Sequence, residues 1–165
     1  MVTLYNTVSQ DGFIARKNGD EDFIPDEVWD DFINICRQYD AVVFSRKAYE
    51  AIQKYPAAMY KKLDDLNIKK AVVTQNSHFS AKPGFIIAHS LRDAFALGKN
   101  ILFSSGPTLN TIALKENLID KIIFNEIQEK IDSGLKVFET KPELTLISQT
   151  AKNGRILSTY QVKKY

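Results

Sequence analysis

Residues 100–110 read NILFSSGPTLN, and this stretch points to the type of fold. A short apolar run, typical of a buried strand, leads into Ser104, Ser105 and Gly106. Pro107 then opens a helical pattern over 107–117, because proline suits the first turn of a helix. A strand that passes into a helix through a small turn is the repeating unit of a parallel α/β sheet.

The remainder of the chain repeats this alternation of apolar runs and helical patterns. Asn153-Gly154 is a strong hairpin signal between the last two runs. We therefore predict one α/β domain over 1–165, with a mixed, mostly parallel sheet of about eight strands, flanking helices and a C-terminal antiparallel hairpin. The predicted strands are 2–8, 40–45, 70–75, 84–88, 100–104, 121–127, 143–150 and 155–163, and the predicted helices are 26–38, 47–54, 58–65, 90–97 and 107–117.

Composition narrows the class of protein. The chain has 165 residues and a formal net charge of +2, which favours neither nucleic acid nor a membrane as a partner. Its one cysteine, Cys36, excludes an internal disulfide framework. No signal-peptide pattern and no apolar run of ~18 residues is present, so we expect a cytoplasmic protein. No grouping of Cys, His and carboxylates has metal-ligand spacing, and we expect no metal.

Polar residues follow four of the predicted strands, where open α/β sheets bind their ligands. They lie in SQDGFIA at 9–15, in SRK at 45–47, in TQNS at 74–77 and in SSG at 104–106. The helix start at 107 suits a phosphate, although a plain strand-to-helix turn gives the same pattern. Arg46 and Lys47 suit a second phosphate, or simply begin a surface helix.

Taken in order, these loops resemble the dihydrofolate reductase-like fold, in particular the family of the RibD C-terminal domain, the reductase domain of riboflavin biosynthesis. Its members read S-x-D-G-x-I-A, G-R-x-T-Y-E, V-V-T-R-N, G-G-P-T-L-N and a late G-x-x-L-F. Here the matching stretches are SQDGFIA at 9–15, SRKAYE at 45–50, VVTQN at 72–76, SGPTLN at 105–110 and GLKVF at 134–138. The resemblance covers essentially the whole chain.

The resemblance implies an NADPH-dependent reductase of a small pyrimidine- or pteridine-like substrate, similar to the 5-amino-6-(5-phosphoribosylamino)uracil reductase domain. It also implies a homodimer that pairs through the C-terminal strands. Asp11 and Phe32 would lie beside the substrate. The implied cofactor residues are Thr7 and Ile14 at the nicotinamide, Arg46 and Lys47 at the phosphates, Thr74, Gln75, Asn76 and Ser77 at the adenosine, and Ser105, Gly106, Pro107 and Thr108 at the pyrophosphate.

A folate reductase also carries a carboxyl group on the helix after the first loop, which helps to protonate the pterin. Anchoring the comparison on Phe32 places Val28 at that position, whereas anchoring it on Ile24-Pro25 selects Glu27. Glu27 is the candidate catalytic acid. Acids in the first turn of this helix also complement its dipole without any catalytic role.

Three residues depart from the family pattern. Ser45 and Ser105 stand where the family has glycine, and Ala48 stands where it has threonine. These departures favour an alternative function, in which the protein has lost catalysis and serves as a nucleotide-binding or dimeric structural module.

Overall fold

The computed structural model describes residues 1–165 and contains ten strands and five helices. In chain order these are Val2–Val8 (β1), Phe13–Ala15 (β2), Glu27–Cys36 (α1), Ala41–Ser45 (β3), Arg46–Ile52 (α2), Ala57–Asp64 (α3), Lys69–Val73 (β4), Phe85–Ala88 (β5), Leu91–Phe95 (α4), Ile101–Ser104 (β6), Pro107–Lys115 (α5), Lys121–Ile127 (β7), Leu135–Lys136 (β8), Leu144–Lys152 (β9) and Arg155–Val162 (β10). Every predicted strand and helix is present, with bounds that agree within two residues. The short strands β2 and β8 were not predicted.

Eight strands form one sheet in the order β5-β4-β3-β6-β1-β7-β10-β9. The first six are parallel, whereas β10 runs antiparallel to β7 and β9 runs antiparallel to β10. Asn153 and Gly154 make the hairpin turn between β9 and β10 with φ angles of 50° and 76°. The predicted mixed, mostly parallel sheet with a C-terminal hairpin is confirmed.

Helices cover both faces of the sheet because successive strand residues point to opposite sides. On β3, Val42 and Phe44 pack in one cluster with side chains of α1, α2 and α3. Val43, between them, packs in a second cluster with side chains of α4 and α5. The C-terminal ends of the parallel strands are left free between these layers, and that edge carries the main cavity.

The loop after β1 is tied to a distant part of the chain by the Asp11 carboxylate. It accepts hydrogen bonds from the Ser9 hydroxyl at 2.6 Å and from the backbone N–H groups of Ile131 and Asp132 at 3.2 and 2.8 Å. The bond from Ser9, with the two backbone bonds, holds the pKa of Asp11 below its ordinary value. Gly12 has a φ of +88°, so it supplies the left-handed turn beside Asp11 at this corner. The Asp-Gly corner therefore serves to join two loops.

The same two loops form the small antiparallel sheet of β2 and β8. Gly134 stands at their closest approach, where a β-carbon would overlap the carbonyl oxygen of Ala15. Only glycine permits this approach of the two backbones. The pairing brings Ile14, Ala15 and Leu135 to the wall of the main cavity.

Gly134→Ala is therefore expected to lower the free energy of unfolding by about 2 kcal/mol, because the added methyl forces the two strands apart. Chemical denaturation measures this change. Ser133→Ala is the control, since Ser133 is exposed, and its effect should stay within about 0.5 kcal/mol. Equal stability of the Gly134→Ala variant and the wild type would contradict the assigned close approach.

A largely buried ion pair joins α1 to the C-terminal hairpin. Arg155 at the start of β10 contacts both carboxylate oxygens of Asp31, at 2.6 and 3.0 Å. The side-chain amide of Asn125 donates to Asp31 at 2.9 Å and to the Tyr5 hydroxyl at 3.2 Å. Partial burial alone would raise the pKa of Asp31, but the hydrogen bonds from Arg155 and Asn125 outweigh it and lower the pKa.

Arg155→Met is expected to cost about 2 kcal/mol of unfolding free energy at neutral pH, because Asp31 keeps its charge without a partner. The folded-state pKa of Asp31 is lowered, so the pair stabilises the fold above the ordinary aspartate range and loses that effect as the pH falls through the lowered value. The gap between wild type and variant should therefore narrow as the pH falls below the ordinary aspartate pKa of about 3.9, as measured by denaturation across pH.

The double variant Asp31→Asn with Arg155→Met is the control for this pair. It removes both charges, so its loss of stability at neutral pH should be smaller than that of Arg155→Met alone. A double variant that is less stable than the single one would contradict the assignment.

Candidate functional site

A cavity with a volume of about 1250 Å³ lies at the C-terminal edge of the parallel strands. This is the edge at which open α/β sheets bind their ligands. Twelve of the residues assigned by resemblance to the cofactor or the substrate line it, from six separate parts of the sequence. They are Thr7, Ile14, Phe32, Arg46, Lys47, Thr74, Gln75, Asn76, Ser105, Gly106, Pro107 and Thr108.

Three of the predicted site residues lie elsewhere. Asp11 borders a smaller cavity of about 430 Å³, and its carboxylate is occupied by the two loops it joins. Ser77 is exposed in the turn after β4 and is not part of the cavity wall. Glu27 is exposed at the first residue of α1, whereas its neighbour Val28 is buried and lines the cavity.

The turn between β6 and α5 presents unpaired backbone donors to the cavity. Gly106 is the N-cap of α5 and no side chain caps this helix, so the N–H groups of its first turn are free. Gly106 has a φ of −91°, which any residue adopts, and a β-carbon there would meet nothing within 4 Å. Neither conformation nor packing within the chain explains this glycine. Its lack of a side chain leaves space for a ligand beside the helix end.

The turn is held from behind by the fully buried Asn110 side chain. Its amide donates to the carbonyl oxygens of Ser105 and Val137, at 3.2 and 3.0 Å, and to the side chain of Asn6 at 3.2 Å. Its own carbonyl oxygen accepts a hydrogen bond from the Ser105 hydroxyl. Asn6 in turn donates to the Ser105 carbonyl at 3.0 Å. These bonds fix the direction in which the turn faces the cavity.

Asn110→Ala is expected to lower the free energy of unfolding by about 3 kcal/mol, because it leaves several buried polar groups without partners. Asn34→Ala is the matched control on the exposed face of α1 and should change stability by no more than about 0.5 kcal/mol. Thermal or chemical denaturation of both variants makes the comparison. Equal effects at the two sites would refute the assigned role.

Positive charge gathers at the end of the cavity formed by β3, β4 and β5. Arg46 and Lys47 begin α2 directly after β3, and Arg92 follows β5. Arg46 and Arg92 approach Glu50 and Glu116 only at 3.7 and 3.8 Å. Such loose, exposed ion pairs hold their partners weakly, so the guanidinium groups remain available to a ligand.

His89 and Arg92 were given no function from the sequence, yet both line this end of the cavity. The His89 ring places Nδ1 at 2.9 Å from the Thr74 carbonyl oxygen, which orients the ring. The sequence feature that would have identified these two residues is the end of β5, where polar residues follow a strand as they do after β3 and β4.

Aromatic side chains form the opposite end of the cavity, against α1. The Phe32 ring lies 5.1 Å from the Tyr5 ring and 5.4 Å from the Trp29 ring, and the Tyr55 ring stands edge-on to Trp29 at 5.1 Å. The Trp29 indole N–H donates to the Met59 carbonyl at 2.7 Å, so the ring is fixed. Rigid rings of this kind form a surface on which a planar ligand packs.

Comparisons with known proteins were made by sequence and by structure. No family model and no curated protein matched the sequence. Two of the similar solved structures cover almost all of both chains. A pyrimidine reductase-like protein from Corynebacterium diphtheriae matches 99% of this chain and 92% of its own, with a TM-score of 0.72 and 14% identity. Dihydrofolate reductase from Enterococcus faecalis, solved with NADP(H), matches 99% and 97%, with a TM-score of 0.68 and 15% identity.

A third structure is a diaminohydroxyphosphoribosylaminopyrimidine deaminase/5-amino-6-(5-phosphoribosylamino)uracil reductase from Thermotoga maritima, with a TM-score of 0.70 and 15% identity. It matches 99% of this chain, which spans only 56% of that longer protein. The chain has the dihydrofolate reductase-like fold. The fold expected from the loop motifs is thereby confirmed.

The dihydrofolate reductase-like fold accommodates each departure from the family motifs. The Ser45 hydroxyl caps α2 by accepting the backbone N–H of Ala48 at 3.1 Å. Ala48 is half-buried and packs against the apolar cluster below it. The Ser105 hydroxyl is buried and bonds Asn110, so it does not occupy the cavity. In the dihydrofolate reductase-like fold of this chain, each of the three residues therefore has a structural partner.

Two further findings concern the whole chain. None of its helices combines the length and the apolar character that crossing a membrane requires. Groups of three or more His, Cys, Asp or Glu side chains that would hold a metal ion do not occur in it.

Proposed function

We propose that this chain is an NADPH-dependent reductase of a small pyrimidine- or pteridine-like substrate. The observation that carries the proposal is the turn at Gly106, where a helix N-terminus and an unexplained glycine face the large cavity. A pyrophosphate suits this turn because free N–H groups and the helix dipole both favour anions. The similarly folded Enterococcus faecalis enzyme was solved with NADP(H), which supports a nucleotide at this edge.

The charges of the cavity support NADPH over NADH. Arg46, Lys47 and Arg92 lie together around the ends of β3 and β5, beside Thr74 and its neighbours. A cluster of cations is the expected partner of the additional 2′-phosphate of NADPH. Ser77, although assigned to the adenosine by resemblance, lies outside the cavity wall and is not needed by this proposal.

When bound, NADPH supplies a hydride. Residues of the chain orient both reactants of the hydride transfer, the nicotinamide and the substrate. Thr7 and Ile14 line the cavity, and the resemblance assigns their backbone groups to the nicotinamide. Phe32 and Trp29 hold a planar substrate against that position. Most of the rate enhancement would come from bringing the two rings together in a fixed geometry.

The second candidate is a module that keeps the fold and lacks catalysis. The exposed position of Glu27 and the presence of Val28 in the cavity favour it, since α1 contributes no carboxyl group to the cavity wall. A homodimer belongs to either function, and we place its contact at β9. That strand ends the sheet with one edge unpaired and exposes Leu146 and Ile147 by about half of their surface.

Gly106→Ala is the test of the cofactor site. The added methyl enters the space reserved for the pyrophosphate, and NADPH affinity should fall about tenfold. The free energy of unfolding should change by less than about 1 kcal/mol, because the backbone and its surroundings accept alanine. Titration calorimetry with NADPH and with NADH measures the affinities, and chemical denaturation measures the stability.

Arg155→Met is the control for this titration, because it weakens the fold at a residue outside the cavity wall and should leave NADPH affinity unchanged. Equal NADPH affinity of wild type and Gly106→Ala would remove Gly106 from the site. Failure of the wild type to bind either nucleotide would exclude the reductase and leave the structural module.

A further inference from the structure

From the distribution of charge in the cavity, we infer that the substrate is a planar aromatic ring that carries no phosphate, is neutral or cationic, and is bound through its N–H groups by Glu21 and Tyr55. The inference rests on the proposed function, because it concerns the end of the cavity that NADPH would leave free. It separates this chain from a reductase of phosphorylated substrates.

The charges of the cavity wall are divided between its two ends. All three of its Arg and Lys residues, Arg46, Lys47 and Arg92, follow β3 and β5. Three of its four carboxylates, Glu21, Asp22 and Asp26, lie in the connection between β2 and α1. The fourth, Glu116, approaches Arg92 and so belongs to the cationic end.

Helix α2 separates the backbone positions of Arg46 and Lys47 from that of Tyr55. This helix begins at Arg46 and ends at Ile52, which separates these two residues by about 9 Å at 1.5 Å per residue. Tyr55 follows three residues later, beside Trp29. Trp29 and Tyr55 therefore lie by the C-terminal end of α2, whereas Arg46 and Lys47 lie at its N-terminal end.

Arg16 and Lys17, next to β2, do not supply positive charge to the aromatic end. The Arg16 guanidinium is paired with Asp22 at 2.5 Å. It also lies over the Phe23 ring, at 5.7 Å from the centroid. Neither Arg16 nor Lys17 lines the cavity. A phosphate at the aromatic end would meet the carboxylates of Glu21 and Asp26, which is unfavourable.

Glu21 and Tyr55 supply the polar contacts at this end. The Tyr55 hydroxyl lies 3.5 Å from a carboxylate oxygen of Glu21, at the limit of a hydrogen bond. As a whole residue Glu21 is exposed, but the protein around its carboxyl group reduces solvation enough to raise its pKa, against a lowering by the Tyr55 bond. A poorly solvated carboxylate beside rigid rings gains most from an N–H donor or a cation on the ligand.

The aromatic wall sets the shape of the ligand. Trp29, Phe32 and Tyr55 lie within 5.1 to 5.4 Å of a neighbouring ring, and Ile52 and Met59 complete the apolar lining. A flat ring buries its faces against such a surface. The carboxylates between β2 and α1 accept hydrogen bonds from the edge of that ring.

The test uses three probes with one ring and different charge. They are naphthalene-2-carboxamidine, which is cationic, 2-naphthol, which is neutral, and 2-naphthyl phosphate, which is anionic. Quenching of Trp29, the only tryptophan, reports binding at the aromatic end, with and without NADPH. Wild type should bind the amidine at least about tenfold more tightly than the phosphate, with naphthol between them.

Glu21→Gln should bring the amidine-to-phosphate ratio of affinities to within about threefold, mainly by weakening the amidine. Tyr55→Phe keeps the ring and removes the hydroxyl, and should reduce amidine binding by a smaller factor. Glu143→Gln is the matched control, because it removes one carboxylate that pairs with Lys163 outside both cavities. It should leave the ratio unchanged, and thermal unfolding checks that all variants are folded.

The inference is overturned if the phosphate binds as tightly as the amidine, if no probe quenches Trp29 up to about 1 mM, or if Glu21→Gln leaves the ratio unchanged. The NADPH titration is read separately. If NADPH fails to bind while the probe order holds, the reductase is excluded and the binding preference stands. If NADPH binds and the probe order is reversed, only the substrate class is wrong.

Discussion

The side-chain amide of Asn110 joins three parts of the chain that are far apart in sequence. It reaches Asn6 on β1, the Ser105 carbonyl before α5 and the Val137 carbonyl after β8. Because the side chain is fully buried, each of its hydrogen-bonding groups needs a partner, and the backbone must adopt the arrangement that provides them. This single amide helps to set the orientation of the turn at Gly106, and with it the direction of the uncapped N-terminus of α5.

The departures from the family motifs are best understood through such partners. The Ser105 hydroxyl is buried, and it would lack a hydrogen-bond partner if the Asn110 side chain did not accept its hydrogen. Ser45 replaces a glycine and gains a capping bond to α2, so its side chain stabilises the helix that carries Arg46 and Lys47. At both positions the departure from the family motif adds a hydrogen bond that stabilises the backbone beside the cavity.

The sequence predicted the sheet and its long elements because hydrophobic periodicity determines them locally. It did not predict β2 and β8, since strands of three and two residues have no period and exist only through the close approach at Gly134. Glu27 and Val28 were not distinguishable because neighbouring residues of a helix differ by about 100° in direction, and only the packed structure sets that rotation. The bonds of Asp11 go to backbone groups some 120 residues away, which no local pattern records.

The joined loops also have a consequence for motion. Besides the bonds of Asp11, the backbone N–H of Gln10 donates to the Glu129 carbonyl at 2.9 Å, so the segment after β1 and the segment before β8 are bound along their length. Neither segment opens without breaking the bonds of the other. They form one cooperative unit, in which the amide hydrogens of Gln10, Ile131 and Asp132 exchange with solvent through a common opening event. The same cooperative unit includes β2 and β8, whose residues Ile14, Ala15 and Leu135 line the cavity.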